Sequence, residues 1–221
     1  NPNFEDRSRF NARRTAIQGF SIFGKNHTYL MDQNGQIDYS LLNDFLQNYA
    51  GKKFFIFGFT SYVFNYLCEK IDSKKLKYDF QNSVLIHGGG WKKMENKKIS
   101  NSVFKKRLFE KLKIKNIINY YGLVEQTGSI FIECEKCGSF ISSIFSEVLI
   151  RDKNFNIQKP GDRGLVQLFS ILPTSYPGHS IITEDIGEIL PKNRIKCNLD
   201  TTHFLIHGRS KHSELRGCSD V

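Results

Sequence analysis

Short apolar runs separated by helical patterns limit the fold of this chain more than any other feature. The runs at 53–57, 83–86 and 114–118 are each long enough for one buried strand and too short for a buried helix. Between successive runs, apolar residues recur at the spacing of one helix face. Strands that alternate with helices pack as a mainly parallel sheet with flanking helices, so the sequence predicts an α/β fold.

The second half of the chain has a different pattern. Helical periodicity stops near Gly128, and strand-like stretches separated by turn residues follow. We therefore predict an α/β subdomain at 1–128, a β-rich subdomain at 129–207 built as a small barrel or sandwich, and a hinge with a C-terminal tail at 208–221. The strand-like stretches are 129–134, 146–151, 164–170, 187–190 and 203–206.

Local signals predict the elements around the first buried strand. The apolar content of 17–24 and 28–31 indicates two short strands. Asp38 has the side chain of a helix N-cap and precedes an amphipathic segment. Thr60 or Ser61 is expected to cap the helix that follows the strand, for the same reason.

The net charge of +10 is concentrated between residues 92 and 115, which contain ten Lys or Arg and two Glu. One interpretation is an anion-binding surface for nucleic acid, an acidic partner or a phosphorylated ligand. The other is the solvent-exposed face of an amphipathic helix, and we favour it, so nucleic acid is not the expected partner. The apolar stripe of that helix consists of Val103, Phe104, Leu108 and Leu112.

Composition excludes some classes of protein. With 39% hydrophobic residues the chain is globular rather than disordered. No apolar run approaches the roughly 20 residues of a membrane-spanning helix. The five cysteines are odd in number and widely scattered, unlike a disulfide framework, which predicts a reducing, cytoplasmic location.

The end of the third apolar run carries residues suited to a nucleotide. Ligands of open α/β sheets bind at the carboxyl ends of the strands, where Tyr121, Gly122 and Glu125 follow one another here. Gly122 allows close approach of the backbone to a flat ligand, and the Tyr121 ring can stack on one. Glu125 can bind a hard cation such as Mg²⁺. Alone, this stretch is more typical of an ordinary strand and turn with a surface glutamate.

Three consecutive glycines, Gly88, Gly89 and Gly90, follow His87 at the end of the second run. Such glycines form the oxyanion hole of esterases, but that chemistry needs a Gly-x-Ser-x-Gly motif. The nearest candidate, 178–182, lacks the second glycine. We therefore interpret the glycines as a backbone surface for a planar ligand such as adenine, with a simple tight turn as the alternative.

Three residues further along are candidates for other parts of the site. Asp185, in Thr-Glu-Asp, could accept hydrogen bonds from ribose hydroxyls. Arg209 could bind a phosphate or ribose oxygen through its guanidinium group. Cys218 follows Arg216, whose charge favours a nucleophilic thiolate. A basic tail with an unreactive cysteine would look the same.

Together and in order, Gly-Gly-Gly, Tyr-Gly-x-x-Glu, Thr-x-Asp and Gly-Arg followed by Arg-Gly resemble the adenylate-forming superfamily of acyl-CoA synthetases, luciferases and peptide adenylation domains. Within it, the chain is most similar to the acyl-protein synthetase family of bacterial luminescence operons (LuxE), and the similarity covers nearly the whole sequence. The stretches that carry this resemblance are 16–21, 56–60, 87–92, 121–126 and 216–218.

The resemblance implies a two-step reaction. A fatty acid would be activated with ATP and Mg²⁺ to an acyl-adenylate, and the acyl group would pass to Cys218 and then to a partner protein such as an acyl reductase. The implied roles are adenine contacts for Gly88, Gly89, Gly90 and Tyr121, Mg²⁺ binding for Glu125, ribose binding for Asp185, and ribose or phosphate contact for Arg209.

The sequence also departs from the superfamily pattern. No Ser/Thr/Gly-rich phosphate loop occurs, and the chain does not begin with Met, so we expect a fragment whose loop lies upstream. Val124 replaces the usual Thr before the motif glutamate. Two alternatives stay open: a CoA ligase of the same superfamily, in which Cys218 is incidental, and a non-catalytic module that binds a nucleotide or nucleic acid.

Cys134 and Cys137 have the spacing of metal ligands. A structural zinc ion needs four ligands, usually from a second pair at similar spacing. The sequence offers further candidates without any such pattern, so zinc binding stays an open question. These candidates are Cys197, His179, His203 and His207.

Overall fold

A computed structural model describes residues 12–32, 34–126 and 128–210. The chain forms two compact units that divide between Ile118 and Asn119. Unit 1 mixes helices with strands and unit 2 consists mainly of strands, which confirms the predicted α/β class with a β-rich C-terminal part. In the described residues, no helix is both long and apolar enough to cross a membrane.

Unit 1 contains four α-helices and two paired strands in its described part. Strands β1 and β2 are parallel, with Phe54 opposite Ser83 and Phe59 opposite Gly88. The third strand, β3, carries the chain into unit 2. The elements are α1 (Ala12–Ser21), α2 (Tyr39–Asn48), β1 (Phe54–Phe59), α3 (Thr60–Val63) continued by a π-helical segment (Phe64–Lys70), β2 (Ser83–Gly88), α4 (Asn101–Leu112) and β3 (Asn116–Tyr121), with short 3₁₀ turns at Ser73–Lys75 and Lys92–Lys97.

One hydrophobic core holds unit 1 together. It joins the inner faces of α2, α3 and α4 to the strands, and its most buried members include Leu46, Leu85 and Leu108. The basic helix α4 faces this core as predicted through Phe104, Leu108 and Leu112, whereas Val103 is exposed. The favoured interpretation of the basic stretch, an amphipathic helix, is therefore confirmed.

Three of the local predictions in unit 1 are wrong and one is confirmed. Residues 28–31 form no strand, and only Met31 makes an isolated bridge, to Ile37. Residues 17–21 belong to helix α1 rather than to a strand, because Phe20 is buried against β1 and stacks on Phe57 with ring centroids 4.1 Å apart. Asp38 does cap α2, since its carboxylate accepts the backbone N–H of Leu41. Thr60 caps nothing with its side chain, because its hydroxyl is used elsewhere.

The sheet of unit 2 is antiparallel in every pairing that the structure describes. Its strand order is β3-β4-β5-β9-β8-β7-β6. The described strands form one hydrogen-bonded sheet, and the small barrel or sandwich expected from the sequence stays a prediction. Beyond β3 the strands are β4 (Phe131–Glu133), β5 (Phe140–Ile141), β6 (Ser146–Arg151), β7 (Arg163–Ser170), β8 (Ser180–Ile189) and β9 (His203–Arg209), with 3₁₀ turns at Val124–Gln126 and Lys192–Arg194.

The strand order departs from the chain order at β9, which lies between β5 and β8. The last strand of the described residues is therefore central in the sheet of unit 2, where Phe204 is fully buried. The core of unit 2 forms around it from side chains of β4, β6 and β7. Its fully or almost fully buried members are Phe131, Val148, Ile150, Val166, Leu168 and Phe204.

Candidate functional site

The three glycines of unit 1 expose backbone at the end of β2. Gly88 is the last residue of the strand, and Gly89 and Gly90 have φ values of +79° and +69°. A Cβ on Gly89 would also lie 2.8 Å from Cδ1 of Phe59. Two consecutive left-handed residues and a close ring therefore require glycine here, and the turn presents peptide groups without side chains.

A buried hydrogen-bond pair below these glycines joins the ends of β1 and β2. The hydroxyl of Thr60 donates to the carbonyl of Gly88 at 3.1 Å, so the 2.9 Å contact with His87 requires Nδ1–H of the ring to donate to Thr60 Oγ1. Burial, with a smaller effect of the Lys105 charge, lowers the pKa of His87 to about 3. The ring is therefore neutral at physiological pH. Sequence reasoning missed Thr60, whose partner lies 27 residues away.

Unit 2 brings three of the predicted site residues together. The Tyr121 hydroxyl donates to Oδ2 of Asp185 at 2.6 Å, and Nε of Arg209 lies 3.9 Å from Oδ1 of the same carboxylate. Asp185 and Arg209 are direct partners across β8 and β9. Arg209 also donates to Glu184 at 2.8 Å. The sheet thus places an aromatic hydroxyl and a guanidinium group on one carboxylate.

A β-bulge shapes this part of the sheet. The register between β8 and β9 shifts between Ile186 and Gly187, directly after Asp185. A Cβ on Gly187 would lie 2.6 Å from the carbonyl oxygen of Leu205, so the close approach of the two strands requires glycine. Bulges redirect side chains locally, and this one immediately follows the residue predicted to bind ribose.

Burial is the largest cause of the pKa shifts of Asp185 and Tyr121. It raises the pKa of Asp185, although the hydrogen bond from Tyr121 and the charge of Arg209 act in the opposite direction. It also raises the pKa of Tyr121, and the neighbouring Asp185 carboxylate adds to that increase. Tyr121 therefore stays a hydrogen-bond donor, and the carboxylate has lost more hydration than its two partners replace.

The ring of Tyr121 is fixed by the core of unit 2. Phe131, Phe140 and Phe204 surround it with centroid distances of 5.9–6.2 Å. Because these contacts set the direction of the ring, the hydroxyl is aimed at Asp185 by packing rather than by the hydrogen bond alone. Sequence reasoning assigned Tyr121 a stacking role and missed its hydroxyl contact with Asp185.

Glu125 lies on a short turn that is fixed from two sides. The adjacent Gln126 is buried and its amide donates to the carbonyl of Gly178 at 2.9 Å. Tyr176 donates its hydroxyl to the backbone carbonyl of Glu125 at 2.7 Å. Gly122 opens this turn, and a Cβ there would lie 3.0 Å from the carbonyl oxygen of Ser129. The turn is therefore rigid while the Glu125 side chain is exposed.

Mg²⁺ is better suited to a single exposed carboxylate than to a closed site made only of protein ligands. Mg²⁺ usually keeps several waters and binds one or two protein carboxylates together with substrate phosphates. Glu125 is such a group, so the turn fits the predicted role. Cys218, predicted as the acyl carrier, lies outside the described residues.

Comparisons with known proteins identify a family by sequence and similar folds among solved structures. The model of one protein family, described as acyl-protein synthetase, LuxE, matches residues 2–221. No curated protein matches the sequence significantly.

Several solved structures share the fold. A luciferase-like enzyme from the nonluminescent mealworm Zophobas morio superimposes with a TM-score of 0.51 at 17% identity, over 81% of this chain and 42% of that one. The amide bond synthetase McbA from Marinactinospora thermotolerans gives 0.53 at 13% identity, over 79% and 35%. The anthranilate CoA ligase AuaEII, in complex with anthranoyl-AMP, gives 0.54 at 13% identity, over 78% and 32%. The chain thus spans less than half the length of each.

Proposed function

The chain belongs to the acyl-protein synthetase (LuxE) family, and on that premise we propose that it is part of a ligase that activates a fatty acid with ATP and transfers the acyl group to a cysteine. The family and the adenylate-forming fold support the activation step. A solved structure of similar fold is described as a complex with anthranoyl-AMP, an acyl-adenylate. We extend the same class of intermediate to this chain.

The observation that carries the proposal is the partly buried Asp185 carboxylate, which is in contact with Tyr121 and close to Arg209. Burial raises the pKa of this carboxyl, although the hydrogen bond from Tyr121 and the charge of Arg209 act in the opposite direction, which supports a site with room for further donors. Oδ1 and the remaining lone pairs can still accept hydrogen bonds, and two neighbouring ribose hydroxyls are donors of the right kind. Arg209, on the paired strand, can then bind a phosphate oxygen.

In the first step, the fatty acid carboxylate attacks the α-phosphorus of ATP. A carboxylate–phosphorus bond forms, the bond to the pyrophosphate oxygen breaks, and acyl-AMP and pyrophosphate result. Arg209 offsets the negative charge that builds up on the phosphorus oxygens. Glu125 would hold Mg²⁺, which would supply further charge neutralisation. Gly88, Gly89 and Gly90 remain the residues that we assign to adenine.

In the second step, the Cys218 thiolate attacks the acyl carbon. A carbon–sulfur bond forms and AMP leaves, which gives a thioester on the enzyme. The acyl group then passes to an acceptor protein, for which an acyl reductase is the proposed candidate. Arg216, two residues before the cysteine, favours the thiolate form.

A CoA ligase is the second candidate, supported by the exposed positive charge of helix α4. Lys106 on this helix, and Lys113 and Lys115 directly after it, are exposed and would suit the phosphates of CoA. In that case the free thiol of CoA replaces Cys218 as the acceptor. A non-catalytic module that binds nucleic acid would instead show salt-sensitive retention on nucleic acid and no response to ATP.

One experiment separates these functions. The complete gene product is incubated with ATP and a labelled fatty acid, and the adduct is treated with neutral hydroxylamine, which cleaves a thioester and spares an amide. We expect a hydroxylamine-labile label on the peptide that contains Cys218. Cys218→Ser should abolish the labelling while pyrophosphate release persists for the first turnover.

The matched control is Cys68→Ala, because Cys68 is buried in the core of unit 1 and should not carry the label. If the acyl label were found on another cysteine, or if Cys218→Ser were fully labelled, the result would favour the CoA ligase. Failure to release pyrophosphate with any carboxylic acid would exclude both ligase functions.

A further inference from the structure

Three cysteines and one histidine of unit 2 converge on a single point. Each of Cys134, Cys137, Cys197 and His203 places one ligand atom so that all four atoms lie within 4.8 Å of one another. In the described part of the chain this is the one group of three or more His, Cys, Asp or Glu arranged in this way. We propose that these residues form a structural zinc site.

The ligand set is that of a closed zinc centre. Three thiolates and one imidazole, with no carboxylate, are typical of structural Zn²⁺ and unsuitable for Mg²⁺ or Ca²⁺. With zinc–sulfur bonds of about 2.3 Å and a zinc–nitrogen bond of about 2.0–2.1 Å, tetrahedral ligand atoms are separated by about 3.5–3.8 Å. The Sγ atom of Cys197 lies 3.5 Å from Nε2 of His203. The cluster is therefore already close to the size that zinc requires.

Neighbouring groups orient the ligands. Nδ1 of His203 is 2.8 Å from the hydroxyl of Ser139, and both residues are fully buried. When the Nδ1 proton is donated to Ser139, the lone pair of Nε2 points to the thiols, the arrangement found where histidine binds a metal. The backbone N–H of Lys196 also donates to Sγ of Cys137 at 3.3 Å. Such N–H contacts stabilise a thiolate.

The local turn explains the spacing of the first two ligands. Gly138 donates its N–H to the carbonyl of Cys134 at 2.7 Å and has a φ of +65°. This left-handed residue reverses the chain directly after Cys137, and Cys134 then pairs with Ser139 through a 2.7 Å backbone hydrogen bond. The two cysteine side chains consequently lie on the same side of the turn.

The position of the cluster gives the zinc a structural role. Strands β4 and β5, which flank the turn, have three and two residues and offer few backbone hydrogen bonds. Strand β9 begins at His203 and pairs with β5, so the metal would tie the turn to a segment about sixty residues further along the chain. The same strand ends at Arg209. Zinc would therefore hold the strand that supplies this predicted site residue.

The first test measures the metal and its ligands. The complete gene product is purified without chelators, its zinc content is determined by mass spectrometry, and its X-ray absorption spectrum is recorded. We expect one zinc per chain, with three sulfur ligands at about 2.3 Å and one nitrogen at about 2.0–2.1 Å. A protein that binds no zinc even after zinc is added, or a disulfide between two of the three cysteines in the freshly isolated protein, would overturn the proposal.

The second test uses variants with matched controls. Cys137→Ser and Cys197→Ser should each lose at least tenfold in zinc affinity, measured by competition with a chelating dye. Cys68→Ala and His179→Ala alter a cysteine and a histidine outside the cluster, so these variants should keep the zinc affinity of the unaltered protein. His203→Cys should retain zinc and replace the nitrogen signal by a fourth sulfur, which identifies the ligand even if the serine variants fold poorly. Retention of zinc by both serine variants, or an unchanged spectrum of His203→Cys, would overturn the proposal.

None of these readouts depends on catalysis. Loss of the proposed ligase activity would leave the zinc result unaffected, and a protein without zinc would leave the acyl transfer test valid.

Discussion

The predicted contact residues of unit 1 and those of unit 2 form two different kinds of surface. In unit 1 the predicted contacts are the peptide groups of Gly89 and Gly90, which carry no charge and depend on backbone shape. In unit 2 the contacts are side chains, with Asp185 hydrogen-bonded to Tyr121 and near Arg209. The first surface should respond to steric change and the second to a change of charge.

Burial also shifts the pKa of His87 in unit 1 and of Asp185 in unit 2, and the two shifts have opposite signs. In both cases it disfavours the charged form. The pKa of His87 is lowered to about 3, so the unfolded chain binds the proton more readily and stability is lost as pH falls below about 6.5. The pKa of Asp185 is raised, so stability is lost as pH rises from its unfolded pKa to its folded one. Mild acid, below about pH 6.5, should therefore weaken unit 1 through His87.

The largest effect should come from a charge in unit 2. In the complete gene product, Glu125→Gln should lower the rate of adenylate formation about a hundredfold or more, because a contribution of a few kcal/mol from the metal is lost. AMP binding, measured by calorimetry, should change little. The control is Glu110→Gln, which removes an exposed carboxylate from helix α4. Equal loss of both properties, or of neither, would show that Glu125 has another role.

Acid sensitivity tests the buried histidine of unit 1. Because the buried ring of His87 stays neutral while the unfolded chain binds a proton, the free energy of unfolding should be about 2 kcal/mol lower at pH 5 than at pH 8. The expected slope is about 1.4 kcal/mol per pH unit below about 6.5. Trp91, the one tryptophan in the sequence, packs on Phe64 and Phe104 in unit 1, so its fluorescence during urea unfolding reports this unit.

The matched variant is His87→Asn, which keeps a donor near Thr60 and removes the titrating ring. Its overall stability will fall because the side chain is smaller, but the slope between pH 5 and 6.5 should become flatter. An identical slope in both proteins would mean that other groups cause the acid sensitivity.

The Asp185 carboxylate should lower the stability of the folded protein and increase its affinity for AMP. Asp185→Asn keeps an acceptor for the Tyr121 hydroxyl and removes the charge that burial disfavours. We expect AMP to bind about tenfold more weakly, or by about 1.4 kcal/mol, because the amide presents one carbonyl acceptor instead of two carboxylate oxygens. The midpoint of thermal unfolding at pH 8 should not fall. A lower midpoint with unchanged AMP binding would assign Asp185 a purely structural role.

The smallest effect is expected from alanine substitutions in unit 1, which separate a steric clash from backbone strain. Gly90→Ala should cost about 1 kcal/mol, since a Cβ there meets no atom within 4 Å and only the positive φ is unfavourable. Gly89→Ala has the same strain and also forces Phe59 to move, so it should cost about 1 kcal/mol more. Urea unfolding followed through Trp91 gives both values. Equal costs would show that Phe59 moves freely and that the glycines matter only for their φ angles.

Much of the local structure could be predicted from the sequence. The apolar runs gave β1, β2 and β3, the apolar stripe gave helix α4, and Asp38 was correctly placed as a cap. These predictions succeed because periodicity and capping depend on residues within a few positions of each other. The segment at 17–21 failed for the opposite reason, since the burial of Phe20 on Phe57 decides its conformation.

The sequence by itself determined the family, the α/β class and the residue types of the candidate site. Only the tertiary structure decided that Tyr121 contacts Asp185, 64 residues away, and that Cys134 and Cys137 meet Cys197 and His203. Both results depend on β9 lying between β5 and β8. A sequence pattern records which residues form strands, whereas the order of strands in a sheet depends on how their side chains pack together, and that is settled between residues far apart in the chain.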